Sequence, residues 1–473
     1  MVFPVVGGSQ QVATYDIANS LRFNDDDDPQ LSLSTGTTNK RKFTVSLWAK
    51  RSTNGNRQSL WASDKTTNDT GDGSKGGSGI ALQFWNDDMF YFGGFGGNFQ
   101  VRANGLQRDN AAWYHIVGQV DTEQGTTNDR AKLWINGVQQ TTYSAMIGQN
   151  TDVKFATNRI GRQSSTANYS DSDAFYYDND GYIAELHVID GQYYDATYFG
   201  ETNDNGVWVP KEYTGSYGSD GYYLEFKQTG TSANASGIGA DTSGNDKHFT
   251  VTNLAATDIT VDTPTNNFAT MNPLSPTQGS PVYAEGNLKI SISSTAYSYF
   301  PSTFGLSNGK WYVEVRVNSQ GGNTFIGIAE TSMEAYYTGA DNDPHLTAGT
   351  IWYGHSGNGN YDGASQNSGT FGAASYTDGD IIGLALDLDS GTRTIKFYKN
   401  GSLTVSKDLT SNFVDPIVFA ANLYNTQNQS WNFGNPPFSI SSGNADANGY
   451  GNFEYAPPSG YYACCTKNLA EFG

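Results

Sequence analysis

A chain of 473 residues carrying 27 basic and 47 acidic side chains, net charge -20, is too acidic to suit a nucleic-acid partner or an anionic bilayer. Charged residues make up only 16% of it, while Gly numbers 55 and Tyr 30, a composition that favours strands and turns over helices. No run approaches the roughly 20 apolar residues of a membrane helix, and Met1-Val2-Phe3-Pro4 lacks the basic and apolar regions of a signal peptide.

Residues 1–20 read as a polar lead-in, and strands begin at Ser20-Leu21-Arg22-Phe23, interrupted by Asp25 to Asp28. From Phe43 to Ala49 the pattern alternates with period two, which places Phe43, Val45, Leu47 and Ala49 on one face. Thr53 to Gly79 is a polar, glycine-rich insertion, and Ile80 to Val101 predicts paired strands around an aromatic-glycine turn at Phe90 to Gly97. A strand from Trp113 to Val120 leads through Asp121 to a run ending in Asn136-Gly137. The same arrangement recurs from Ile381 to Leu388 through Asp389 to Asn400-Gly401. Asn-Gly is the strongest short signal for a type I′ hairpin, because both central residues take φ > 0. Two copies predict two all-β domains of similar design, each an antiparallel β-sandwich.

Gly181 to Val188 and Gly221 to Phe226 read as the closing strands of a first domain over residues 1–228. Ser, Thr, Asn, Asp and Pro then dominate residues 229–280, expected as a linker with one strand at His248 to Val251. A second domain is expected over 281–440 and a tail over 441–473. Cys464 and Cys465 are adjacent, a geometry that disfavours a disulfide between them and suits free thiols and a reducing compartment.

The chemical motifs are weak. Gly71-Asp72-Gly73-Ser74-Lys75-Gly76 has dinucleotide-type spacing without a helix behind it, and Gly305-Leu306-Ser307-Asn308-Gly309 has nucleophile-elbow spacing ahead of a strand instead of a helix. Five histidines show no zinc spacing. Acidic loops at Asp25 to Asp28, Asp178 to Asp180 and Asp341 to Asp343 fit either solvated loops or calcium sites; the candidate ligands are Asp25, Asp27, Asp178 and Asp180. Glu185 and Glu314 stand alone in strands, whereas glycoside hydrolysis uses two carboxylates about 5–10 Å apart, so no enzyme is expected. Tyr91, Phe95, Trp352, Tyr353, His355 and Tyr361 are candidates for stacking on sugar rings, although at 14% aromatic any one ring also suits a core.

Phe43 to Lys50, Trp113 to Val120 and Lys132 to Val138 resemble the laminin-G-like, concanavalin A-like family. Asp190-Gly191-Gln192, Phe199-Gly200-Glu201, Gly206 to Lys211 and Tyr222 to Phe226 are similar to a block in virion proteins of tailed phages. Asn308 to Val315, Phe325 to Ala329, Gly379 to Asp387 and Trp431 to Phe438 resemble a SPRY domain. These resemblances imply two jelly-roll-like sandwiches in a structural protein of a phage particle, a tail fibre or surface appendage. They imply a location on the virion exterior (tail or capsid) after synthesis in the host cytoplasm. The implied partners are other virion proteins and host-surface glycan, reached without membrane insertion. A homo-oligomer is expected, and fibres suggest a trimer, although no coiled-coil heptads are present. A capsid-decorating or adaptor protein and a capsule depolymerase are the rival readings.

Overall fold

In a computed structural model of the chain the structure describes residues 15–64, 79–94, 99–164, 176–277, 279–293, 296–322, 324–333 and 347–473. The glycine motif at 71–76, Phe95, Asp341 to Asp343 and His345 lie outside them. The chain divides after Thr265, with Gln11–Thr265 in one unit and Asn266–Gly473 in the other.

The first unit contains two eight-stranded sheets. One runs Val138–Gln140, Ala131–Ile135, Tyr114–Asp121, Lys42–Arg51, Gly181–Asp190, Ser20–Phe23, Ile259–Thr260, with Tyr222–Leu224 also paired to Gly181–Asp190. The other runs Thr142–Ala145, Gln100–Arg102, Phe90–Gly94, Ile80–Phe84, Gln58–Asp64, Val153–Ile160, Gln30–Lys40, Thr250–Thr252. Phe43, Val45, Leu47 and Ala49 do share the buried face, where they meet Trp61, Leu82 and Phe92. The turn expected at Phe90 to Gly97 is narrower: the chain reverses between Gly94 and Phe99, where Gly94 N donates to Phe99 O at 3.0 Å. The strand Phe90–Gly94 pairs with Gln100–Arg102. A further turn, Trp85 to Met89 with Asp88 at φ 61, precedes that strand. The short polar run Asn86-Asp87-Asp88 supplies the turn chemistry, while the aromatics around Tyr91 have a core to fill.

The second unit repeats the plan with an eight-stranded and a six-stranded sheet. Lys310–Ser319 lies between Gln427–Asn432 and Ile381–Asp387, followed outward by Thr394–Lys399 and Ser402–Asp408. The facing sheet is Ser298–Pro301, Ile417–Leu423, Phe325–Glu330, Thr350–Gly354, Gly359–Tyr361, Ala364–Gln366. Trp311, Val313, Val315, Ile328, Leu384 and Phe419 are among the side chains packed between the sheets. Most pairings are antiparallel, as expected; Tyr462–Ala463 pairs parallel to Trp311-Tyr312.

Residues 229–280 are no linker. Ile238, Phe249 and Leu254 are buried in the first core, and Thr250–Thr252 pairs with Gln30–Lys40. Ala269 and Met271 belong to the second core. Residues 441–473 are no loose tail either: Phe453, Tyr461, Ala463 and Cys465 pack on Tyr312 and Ala385, and Thr466–Phe472 is helical. Polar composition hid these segments because each buries only a few apolar side chains, spaced irregularly. Cys464 and Cys465 are free and buried, and burial pushes the Cys465 thiol up to about 12.

Candidate functional site

Both Asn-Gly turns are built alike. Asn136 and Gly137 take φ 47 and 78, and Asn400 and Gly401 take φ 46 and 79. Each Asn also accepts, through Oδ1, an amide at the start of the neighbouring strand: His115 N at 2.8 Å and Ile381 N at 2.9 Å. Each Gly lies under an aromatic ring, Trp208 in the first unit and Tyr455 in the second.

The outer face of the first unit carries a ladder of alternating rings and cations. The Arg57 guanidinium lies between Trp85 at 3.7 Å and Tyr177 at 3.9 Å. Trp85 stacks on Tyr91 at 4.8 Å, and Arg102, directly opposite Tyr91 in the register, covers that ring at 5.3 Å. Tyr91 donates to Asp87 (2.7 Å) and accepts from Arg102 (2.9 Å). Cation–π contacts of this kind contribute about 0.5–2 kcal/mol each, more as water is excluded. Burial lowers the Arg57 pKa, and burial followed by Asp87 raises that of Tyr91. Tyr91 is only 3% exposed, so it spaces the ladder, while Trp85, Arg57, Tyr177 and the exposed Asp87 form its accessible rim.

The aromatic candidates of the second unit are dispersed. Trp352 and Tyr353 are both 0% exposed. Strand alternation sends Tyr353 inward against Phe371 and Phe397 and Trp352 to the other side against Tyr299. Neither ring has a free face. His355 is half-buried, with its pKa lowered by burial, and Tyr361 is half-buried under Lys407 at 5.6 Å.

The acidic loops converge, but on a cation. Arg162 bridges Asp28 and Asp178, each at 3.1 Å. Burial, with Asp28 and Asp25 nearby, raises the Asp178 pKa to about 6 against the pull of Arg162. Asp27 accepts from Asn24, and Asp180 accepts from Thr53. Among the described residues no group of three or more His, Cys, Asp or Glu is arranged to hold a metal. A guanidinium at the centre of the acidic group makes it a poor fit for calcium.

A cluster invisible to sequence reading surrounds Glu185. A bulge places Glu185 at φ 50, where it accepts from Tyr223 at 2.8 Å and Tyr15 at 3.2 Å and has His187 Nε2 3.3 Å away. Beside it, Ser46 Oγ lies 2.9 Å from His115 Nε2. That contact resembles a nucleophile with its base, but the proton is on the wrong side. Trp208 Nε1 donates to His115 Nδ1 at 3.0 Å, and burial holds the ring neutral with a pKa lowered to about 3. Nε2 therefore carries the hydrogen and donates to Ser46, so it cannot accept the hydroxyl proton. The arrangement ties residues 192–217 to the sheet.

Two stacked antiparallel sheets in each unit, with ring-and-cation contacts on their outer faces, define a tandem β-sandwich protein. Residues 25–196 match the Laminin_G_3 family of the concanavalin A-like lectin/glucanases superfamily, and residues 310–436 match the SPRY domain family. The chain thus carries a concanavalin A-like domain followed by a SPRY domain. Among solved structures, the SPRY domain of human HERC1 is 19% identical, covering 34% of this chain and 96% of its own, with a TM-score of 0.27. Another human SPRY domain is 17% identical over 35% and 100%, TM-score 0.27. The heptameric SAP-like pentraxin of Limulus polyphemus is 16% identical over 38% and 80%, TM-score 0.29. No curated protein matches the chain.

Proposed function

We propose that this chain is a non-catalytic adhesion protein, displayed on the exterior of a tailed-phage virion as a tail fibre or surface appendage, that binds host-surface glycan. The observation that carries the adhesion reading is the tandem itself: a lectin-type sandwich followed by a SPRY sandwich. Rigid sheets carrying turns and loops suit recognition. The phage reading is supported by the resemblance of Asp190-Gly191-Gln192, Phe199-Gly200-Glu201, Gly206 to Lys211 and Tyr222 to Phe226 to virion proteins of tailed phages. The test is retention of purified protein on host-envelope polysaccharide together with an assay for reducing ends. Saturable retention without new ends is expected. No retention would remove the adhesion reading, and released ends would restore the depolymerase.

A further inference from the structure

We propose that an open groove in the SPRY unit binds a carboxylated sugar, with the Arg316 guanidinium recognising the carboxylate. The proposal rests on the glycan-adhesion reading and names the class of sugar. The groove measures about 380 Å³ and is lined by Arg316, Asn400, Phe438, Ser439, Glu454 and Tyr455, among others. Small-ligand sites span about 300–1,000 Å³.

Arg316 is the exposed position on an otherwise largely buried strand, Lys310–Ser319. Its guanidinium lies 5.8 Å from the Phe438 ring, and among the described residues no carboxylate is within ion-pair distance of it. Two neighbouring cations of this unit are paired, Lys310 with Asp387 at 2.8 Å and Lys399 with Asp380 at 3.0 Å. An unpaired guanidinium keeps its planar set of donors for a ligand, and a carboxylate matches that fork with two parallel bonds.

The walls are fixed in advance. Glu314, two residues before Arg316, accepts the backbone amides of Glu454 at 2.9 Å and Tyr455 at 2.7 Å. Asn400 is held by Ile381 N at 2.9 Å and Asp380 at 2.7 Å, and Gly401 beneath it supports the Tyr455 ring. Rings beside hydroxyls and a cation suit a sugar with apolar ring faces and one anionic group. Glu454 is the opposing charge on the rim, kept aside by Ser441 N at 2.7 Å. With net charge -20 the protein repels a densely charged polymer at long range, whereas one carboxylate in contact with Arg316 lies within the roughly 8 Å screening length of physiological salt.

The experiment titrates the full chain with glucuronic acid, N-acetylneuraminic acid and glucose at physiological salt, followed by calorimetry. Binding of at least one acid, tenfold or more over glucose, is expected. Arg316→Ala should weaken it at least tenfold with an unchanged melting temperature, Arg316→Lys should weaken it less, and Glu454→Gln should tighten it severalfold. Equal binding by wild type and Arg316→Ala, or no binding of either acid, would overturn the site. If Arg316→Ala still adheres to host polysaccharide like wild type, the groove is wrong and the adhesion reading stands.

Discussion

Asn136 and Asn400 each do two things at once, entering the left-handed region and accepting an amide from the adjacent strand. The glycines that follow are held by space as well as by φ, since a Cβ at either position would stand 2.5 Å from a ring carbon of Trp208 or Tyr455. Gly137→Ala and Gly401→Ala should each cost about 1–2 kcal/mol from backbone strain alone, with the displaced ring adding to it. Urea denaturation checks this, and a loss below about 0.5 kcal/mol for both would refute it. Glu314 behaves differently because it is charged against burial. Two backbone amides, Tyr312 and Asn432 favour its carboxylate, yet desolvation outweighs them and its pKa rises from 4.5 to about 7. A folded-state pKa above the unfolded value means that ionisation opposes folding. The SPRY unit should therefore lose stability as pH rises from about 4.5 through 7, by up to about 3 kcal/mol. Glu314→Gln should flatten the dependence of melting temperature on pH across that window; parallel curves for mutant and wild type would argue against it.

Among the elements, the segment from Ile259 to Thr265 shows how distant residues lock a sheet. Ile259–Thr260 extends the sheet beside Ser20–Phe23, and two residues later Asp262 meets Lys50 at 2.8 Å, with side chains 0% and 1% exposed. Trp113 Nε1 donates to the same carboxylate at 3.2 Å. Removing one partner of such a buried pair costs about 3–5 kcal/mol, because the other charge stays buried alone. Asp262→Ala should destabilise the first unit by that amount, and the double change Lys50→Met with Asp262→Leu should recover most of it. Chemical denaturation followed by tryptophan fluorescence distinguishes them; equal losses in the two variants would show that the pair is not the cause. The strand that carries Lys50 was legible from alternation, but its partner was not, since Asp262 lies 212 positions away in a stretch that composition reads as a linker.

For the whole molecule, the division after Thr265 has a direct consequence. A fragment ending at residue 228 loses Ile238, Phe249 and Leu254 from its core, each 6% exposed or less. Burying a large apolar side chain contributes about 1.5–3 kcal/mol, so residues 15–265 should be more stable than residues 15–228 by about 5 kcal/mol or more. Comparable denaturation midpoints for the two fragments would contradict that boundary. Composition placed the boundary too early because Ser, Asn, Thr and Pro outnumber the few apolar residues that cover the sheet.

Local pattern was sufficient for the fold class, the pairing within the two hairpins and the inward set Phe43, Val45, Leu47 and Ala49, since alternation and left-handed turns are properties of a few adjacent residues. The candidate site was legible only in part. Tyr91 does belong to a ring-and-cation ladder, but its partners Arg57, Trp85 and Tyr177 come from other elements. The interior fate of Trp352 and Tyr353, the Arg162 bridge between Asp28 and Asp178, and the unpaired Arg316 were decided by tertiary structure alone. A ring's exposed face and a cation's partner depend on what the rest of the chain lays over them.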